Sequence, residues 1–270
     1  MSETIIDEII DESGQLRRLG SLAPPKGFVS SFRTFESEHP VLDDLDIKRL
    51  IQDPNRTPSS ALFDFKKWIK NQYDKGSCNG WAGASAYAKA RYLRGFTDGK
   101  TFSGSFLYSL INGNRDQGSA LEDGLREIQK TGVCEFDLNK WDRIFSNQIS
   151  AEARANAAKH KGLDCFAVQT KQGFRSALAM KMPVIVAVQA GRNFQRLNAD
   201  GIASVDNGSG NHAIHSHDIK IVKGTEVYPT DNSWGFDYGK DGSANLHWDS
   251  FEQTFGHHTF YAIASTEEKE

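Results

Sequence analysis

A glutamine at position 72 precedes a cysteine, Cys78, by six residues in the stretch NQYDKGSCNGWAG, and far downstream come His212 in GNHAIHSH and Asn232 in DNSWG. These residue types in this order have the chemistry of acyl transfer through a thiolate. A cysteine becomes a strong nucleophile when a histidine forms an ion pair with it, and a third group that orients the ring completes the arrangement. A side-chain amide cannot take a proton, so Asn232 can orient His212 through a hydrogen bond and leave the imidazolium–thiolate pair intact. Gln72 adds an N–H donor that, with the backbone amide of Cys78, would hold the oxyanion of a tetrahedral intermediate. Taken singly, Cys78 reads as a small buried hydrophobe and His212 as a structural strand residue. The joint occurrence of all four, in this order, carries the chemical reading.

The surrounding pattern supplies elements to position them. The run WAGASAYAKARYLRG is rich in alanine, lacks proline and ends at Gly95, which predicts a buried central helix with Cys78 at its N-terminus. Unpaired backbone N–H groups at such an end favour thiolate over thiol. In SALEDGLREIQKTG, Ser119 and Glu122 read as a capping box, Leu121, Leu125 and Ile128 as an apolar face and Gly132 as the stop. After about residue 160 the segments DCFAVQT, MPVIVAVQAG, GNHAIHSHDIKIV and TEVYPTDNSWG read as strands between glycine, asparagine and aspartate turns. Helices followed by strands predict an α+β fold, with a helical lobe over about 60–155 and a β lobe over about 160–265. Residues 1–55 read as an N-terminal extension. Ile5, Ile6, Ile9 and Ile10 at helical spacing predict a short helix there, able to dock on the body, bind a partner or act as a small pro-segment.

Composition narrows the function classes. The 270 residues carry a net charge of −3, which provides no basic field for phosphates or anionic lipid, so neither nucleic acid nor membrane is an expected partner. The start MSETIIDEII lacks the basic end and apolar core of a signal peptide, and no segment approaches the length of an apolar membrane span. A cytoplasmic location is expected, or the virion or host cell if the chain is viral. Three cysteines are too few for a disulfide scaffold, and Cys134 and Cys165 are expected as buried thiols rather than a pair. His215, His217, His257 and His258 raise the question of zinc. Strand alternation puts His215 and His217 opposite His212, however, and no Cys or Glu stands at familiar metal spacing, so neither a metal nor any other cofactor is expected. The acid pairs Asp43–Asp44 and Asp123–Glu127 read as solvated faces.

From about residue 62 onward the chain resembles the papain family of cysteine peptidases, and its likeness is to compact microbial and viral members without the long pro-domain. Gln72 followed by GSC ending at Cys78 reproduces the family's pattern. NSWGFDYGKDG matches its NSWGxxWGxxG, with Tyr238 in place of the second Trp and Gly239 and Gly242 retained. His212 and Asn232 lie about 130–150 residues beyond the nucleophile, as in that family. The resemblance implies a papain-like two-lobed fold, a helical lobe and an antiparallel β-barrel-like lobe with the cleft between them, and endopeptidase activity on a peptide or protein substrate. It implies that Gly118 pairs its backbone with an extended peptide and that Trp234 shields the Asn232–His212 hydrogen bond from water. Lys75 stands where plant and animal members carry a disulfide cysteine, and Asn79 replaces the aromatic residue that usually follows the nucleophile. The same machinery would also serve an acyltransferase or a deamidase. A non-catalytic binding or virion-associated protein could keep the fold, but would need none of the four residues.

Overall fold

The computed structural model describes residues 6–58 and 65–266; Ile5 and Leu62 lie outside the described residues. The described helices are α1 (Phe35–Glu38), α2 (Asp44–Gln52), α3 (Phe65–Trp68), α4 (Cys78–Leu93), α5 (Gly104–Ile111), α6 (Leu121–Lys130), α7 (Ala151–Ala157), α8 (Lys171–Ala179) and α9 (Asp249–Phe255). The strands are β1 (Asp7–Ile10), β2 (Leu16–Leu19), β3 (Leu163–Val168), β4 (Val184–Val188), β5 (His212–Ser216), β6 (Lys220–Val222), β7 (Thr225–Asp231), β8 (Ser243–Leu246) and β9 (Phe260–Ser265). Strands β3 to β9 form one antiparallel sheet in the order β3-β9-β4-β5-β7-β6, with β8 also paired to β7. This is the α+β architecture that the sequence pattern predicts.

Helix α4 is the central element. It is buried nearly all round, as its alanine-rich composition requires, and it packs against α5 on one side and β5 and β9 on the other. Two glycines set its approach to α5. A Cβ on Gly80 would lie 2.2 Å from the Gly104 carbonyl oxygen, and one on Gly104 would lie 2.4 Å from the Trp81 side chain. Helix α4 ends at Arg94, with Gly95 at φ +100°, where glycine adopts the left-handed backbone without strain. Helix α6 stops in the same way at Gly132, φ +88°.

Two local expectations are corrected. The predicted N-terminal helix is instead a hairpin, β1 paired antiparallel with β2. The reason lies in its turn: Asp11 Oδ1 accepts from the Ser13 and Gln15 amides, both at 2.9 Å, and Gly14 sits at φ +82°. The predicted Ser119–Glu122 capping box also shifts by one residue, because Ser119 is drawn into backbone pairing with the N-terminal segment. Asp123 Oδ2 accepts from the Ala120 amide at 3.1 Å, while Glu122 turns inward to accept from Ser31 Oγ and Tyr261 Oη, both at 2.7 Å. Of the other acid pair, Asp43 caps α2 and Asp44 pairs with Arg175. The three cysteines are buried and unpaired with one another.

An ion pair joins the halves. Lys89 of α4 meets Asp231 at the end of β7, both side chains being buried, and Ser243 and His217 also bond the carboxylate. Burial opposes the charge on Asp231, but Lys89 and the two nearby histidines outweigh it and hold the carboxyl well below its usual value. His215 and His217 thus belong to this internal network. Removing the lysine would strand a buried carboxylate, so Lys89→Ala should lower the unfolding free energy by about 3–5 kcal/mol. Denaturant unfolding measures this, and a loss below about 1 kcal/mol, the worth of a surface pair, would show that the pair is not structural.

Candidate active site

Cys78 is the first residue of α4, His212 the first residue of β5, and Asn232 follows the last residue of β7. The sheet places β5 and β7 side by side, with His215 opposite Asp231, and α4 packs across β5, so three distant segments converge. His212 Nε2 lies 2.8 Å from Asn232 Oδ1, and Nδ1 has no hydrogen-bond partner among the described residues. The backbone amides of Ala213, adjacent to His212, and of Asn79 and Cys78 at the helix start favour the charged form of the Cys78 thiol. The Trp234 ring lies over the imidazole at 4.9 Å between centroids and is 1% exposed. Phe194 and Tyr238 pack edge-on against that indole at 5.5 Å, so water is kept from the His212–Asn232 bond.

Gln72 is fixed by Ser233, whose Oγ donates to Gln72 Oε1 at 2.6 Å and whose carbonyl accepts from the Gln72 amide at 2.7 Å. Its side-chain NH2 donates to the carbonyls of Lys75 at 2.7 Å and Arg18 at 3.0 Å. Arg18 belongs to the N-terminal segment, which crosses the site. The Gly20 amide also favours the charged form of the Cys78 thiol, and a Cβ on Gly20 would lie 1.9 Å from the Gly76 carbonyl oxygen. Ser119 N donates to Gly20 O at 2.9 Å, Leu22 N to Ser119 O at 3.0 Å and Ser21 N to Asn211 O at 3.0 Å. The chain's own extended segment therefore pairs with Ser119, next to Gly118. Gly118 donates its own amide to Tyr108 Oη at 2.9 Å, and at φ +81° its missing Cβ makes room for Gly20.

The covered site is electrically neutral. Burial pushes the Cys78 thiol up to about 11, against the hydrogen bonds from backbone amides, and takes His212 down to about 4, against its bond to Asn232. The helix end alone predicts an acidified thiol. The segment lying over it excludes the water that would stabilise a thiolate–imidazolium pair, and desolvation prevails.

Several participants were given no role from the sequence. Asn79 donates to Ser119 Oγ at 3.1 Å and also to the Ala120 carbonyl, tying the start of α4 to the pairing edge. Asp116 accepts from Tyr108 Oη at 2.8 Å and from the Gly76 amide at 2.9 Å. Arg17 is buried against Trp234. An arginine in an acidic segment carries no signal of burial; the neighbouring Asp11 turn could have revealed the hairpin that delivers it. Among the described residues no group of three or more His, Cys, Asp or Glu side chains is arranged to hold a metal ion.

The fold and the sequence have known counterparts. Xylellain, a cysteine protease from Xylella fastidiosa, superposes with a TM-score of 0.69 at 18% identity, over 93% of this chain and 98% of that one. A procathepsin B from Trypanosoma congolense does so with 0.66 at 14% identity, over 93% and 86%. The proform of a ragweed pollen cysteine protease gives 0.62 at 18% identity, over 80% and 68%. No curated protein sequence matches. Residues 62–263 match the sequence profile of the papain family cysteine proteases, which spans most of the chain. The chain belongs to the papain family of cysteine proteases.

Proposed function

We propose that the protein is a cysteine endopeptidase that uses Cys78 as nucleophile, His212 as acid and base, Asn232 as the orienting group and Gln72 as an oxyanion donor, and that residues 6–22 form an arm holding the cleft shut. The observation that carries this reading is the 2.8 Å bond from His212 Nε2 to Asn232 Oδ1, which leaves Nδ1 unpartnered in a buried site beside a thiol at a helix N-terminus. With the arm displaced, the proton of Cys78 passes to Nδ1 and the thiolate attacks the scissile carbonyl carbon. The oxyanion takes hydrogen bonds from Gln72 Nε2 and the Cys78 amide. Collapse of the intermediate breaks the C–N bond as Nδ1–H protonates the leaving amine. Water, deprotonated by the neutral imidazole, then hydrolyses the thioester and regenerates the thiol. The arm's Arg18 carbonyl, held by the Gln72 amide, occupies a place where a peptide carbonyl would sit.

Hydrolysis of an internally quenched peptide tests this directly. Cys78→Ala should abolish turnover, and Gln72→Ala should lower kcat by about 10²–10³ with little change in KM. Turnover surviving in Cys78→Ala would overturn the assignment, and an amine-dependent product in place of a hydrolysed one would redirect it to acyl transfer.

The arm gives two further expectations. Gly20 passes Gly76 at a separation no side chain fits, so Gly20→Ala should weaken closure by about 1–3 kcal/mol, a rise of roughly 5- to 150-fold in basal activity. Unchanged activity would show that the arm is not what limits access. The wild-type chain should also lose mass over time, and Cys78→Ala should not; equal clipping in both would exclude self-processing.

Closure should also depend on pH. An opened site, whose thiol the helix end and His212 acidify, releases the Cys78 proton at a lower pH than the closed site, which retains it up to about pH 11. Closure therefore weakens as pH rises towards 11. Hydrogen-exchange protection of the Ser21 and Leu22 amides, corrected for the intrinsic exchange rate, should fall over that range. Protection unchanged from pH 7 up to pH 11 would contradict the buried neutral thiol.

A further inference from the structure

Arg17 is 1% exposed, although it belongs to a charged two-stranded hairpin at the edge of the molecule. Its guanidinium enters a recess of the body. Nη1 donates to Asn71 Oδ1 at 2.7 Å, Nη2 donates to the Trp234 carbonyl at 3.1 Å, and the carbon of the guanidinium lies 5.8 Å from the Trp234 ring centroid. The remaining direction is taken by the arm's own Asp11, which accepts from Nε at 2.6 Å.

The acceptors in this recess are held by the body and do not depend on the arm. Asn71 Oδ1 also accepts from the Tyr73 amide at 2.8 Å, and the Asn71 backbone is bridged to Trp234. Gly235 N donates to the Lys70 carbonyl at 3.0 Å, which fixes the Trp234–Gly235 peptide. The amide of Asn71 packs where a side chain on Gly235 would stand, 2.9 Å from the ideal Cβ, so the rotamer of Asn71 is constrained. Two fixed oxygens and an aromatic face match the planar, multiply donating guanidinium and suit a lysine ammonium less well. A separate small hollow beside Trp234 is lined by Gln195, Asp237 and Tyr238 together with Asp11 to Ser13 of the arm.

The location defines the ligand. The arm meets Ser119 on one side of Cys78 through Gly20 to Leu22, and Arg17 lies on the other side, beside Trp234 and His212. His212 must deliver its proton to the leaving amine, so the recess faces the part of a substrate downstream of the scissile bond.

We propose that Asn71, the Trp234 carbonyl and the Trp234 ring form a guanidinium subsite that selects arginine in the leaving-group portion of peptide substrates, and that Arg17 fills it while the arm is closed. This rests on the peptidase reading, yet binding can be measured without turnover.

The full chain carrying Cys78→Ala and Arg17→Ala should bind arginine amide saturably in a calorimetric titration, and citrulline amide, which is neutral and nearly isosteric, at least tenfold more weakly. Cys78→Ala alone should bind neither, because Arg17 occupies the recess, and adding Asn71→Leu should remove the discrimination. Arg17→Ser replaces Arg17→Ala if near-ultraviolet circular dichroism shows the latter unfolded. Absence of binding, or equal binding of the two amides, would overturn the subsite. In parallel, Arg17→Ala with Cys78 intact should cleave peptides bearing arginine downstream of the scissile bond about tenfold faster than their leucine counterparts. Binding with discrimination but no cleavage of any peptide would refute the peptidase reading alone. Cleavage without preference, together with no binding, would refute the subsite alone.

Discussion

A lysine ammonium and an aspartate carboxylate meet in the interior with almost no access to water, and the rest of the molecule is arranged around them. Lys89 lies on the helix that begins with Cys78, and Asp231 immediately precedes Asn232. A buried charge pair tolerates little displacement, because either partner alone would face the full cost of desolvation. Together with the ladder between β5 and β7, it ties the helix that begins with Cys78 to the strand that leads into Asn232. His217 and Ser243 complete the carboxylate's hydrogen bonds, which is why two of the histidines near His212 are absorbed into structure rather than chemistry.

The cleft is assembled with comparable economy. Glycines mark the places where two backbones must approach: Gly80 against Gly104 between the helices, and Gly20 against Gly76 and Gly118 where the arm crosses. Asn79 secures the Ser119 edge with its side-chain amide, and Trp81 donates its indole N–H to Ser77 Oγ at 3.1 Å. The aromatic cluster of Phe194, Trp234 and Tyr238 then keeps the imidazole in place and dry.

The arm changes the electrostatic character of the same atoms. A thiol at a helix N-terminus beside an imidazole is disposed to ionise in water, and the neutral state found here follows from the cover laid over it rather than from the four residues themselves. Charge pairs brace the hairpin internally, Arg17 to Asp11 and Arg18 to Glu8, and Arg18 also ties it to Asp116 of the body. Burial opposes the Asp11 charge, but the bonds from Ser13, Gln15 and Arg17 outweigh it and hold the carboxyl below its ordinary value.

The sequence by itself determined the elements and the cast of residues. Alanine without proline after Cys78 specifies a buried helix, the glycines at 95 and 132 specify its stop and that of α6, and the alternation after residue 160 specifies strands, because each is a local consequence of backbone sterics and hydrophobic periodicity. The order Gln72, Cys78, His212, Asn232 was legible as a candidate site from the chemistry of the four residue types, their spacing and the resemblance to the papain family. Tertiary structure decided what local pattern could not: that Asp7 to Ile10 form a strand, because the Asp11 turn folds the chain back; that α6 starts after Ser119, because the arm recruits that residue; and that the thiol is neutral, because a segment sixty residues away in sequence excludes water from it. Pairing and desolvation depend on what lies across the space between elements, and no window of sequence contains both sides of that space.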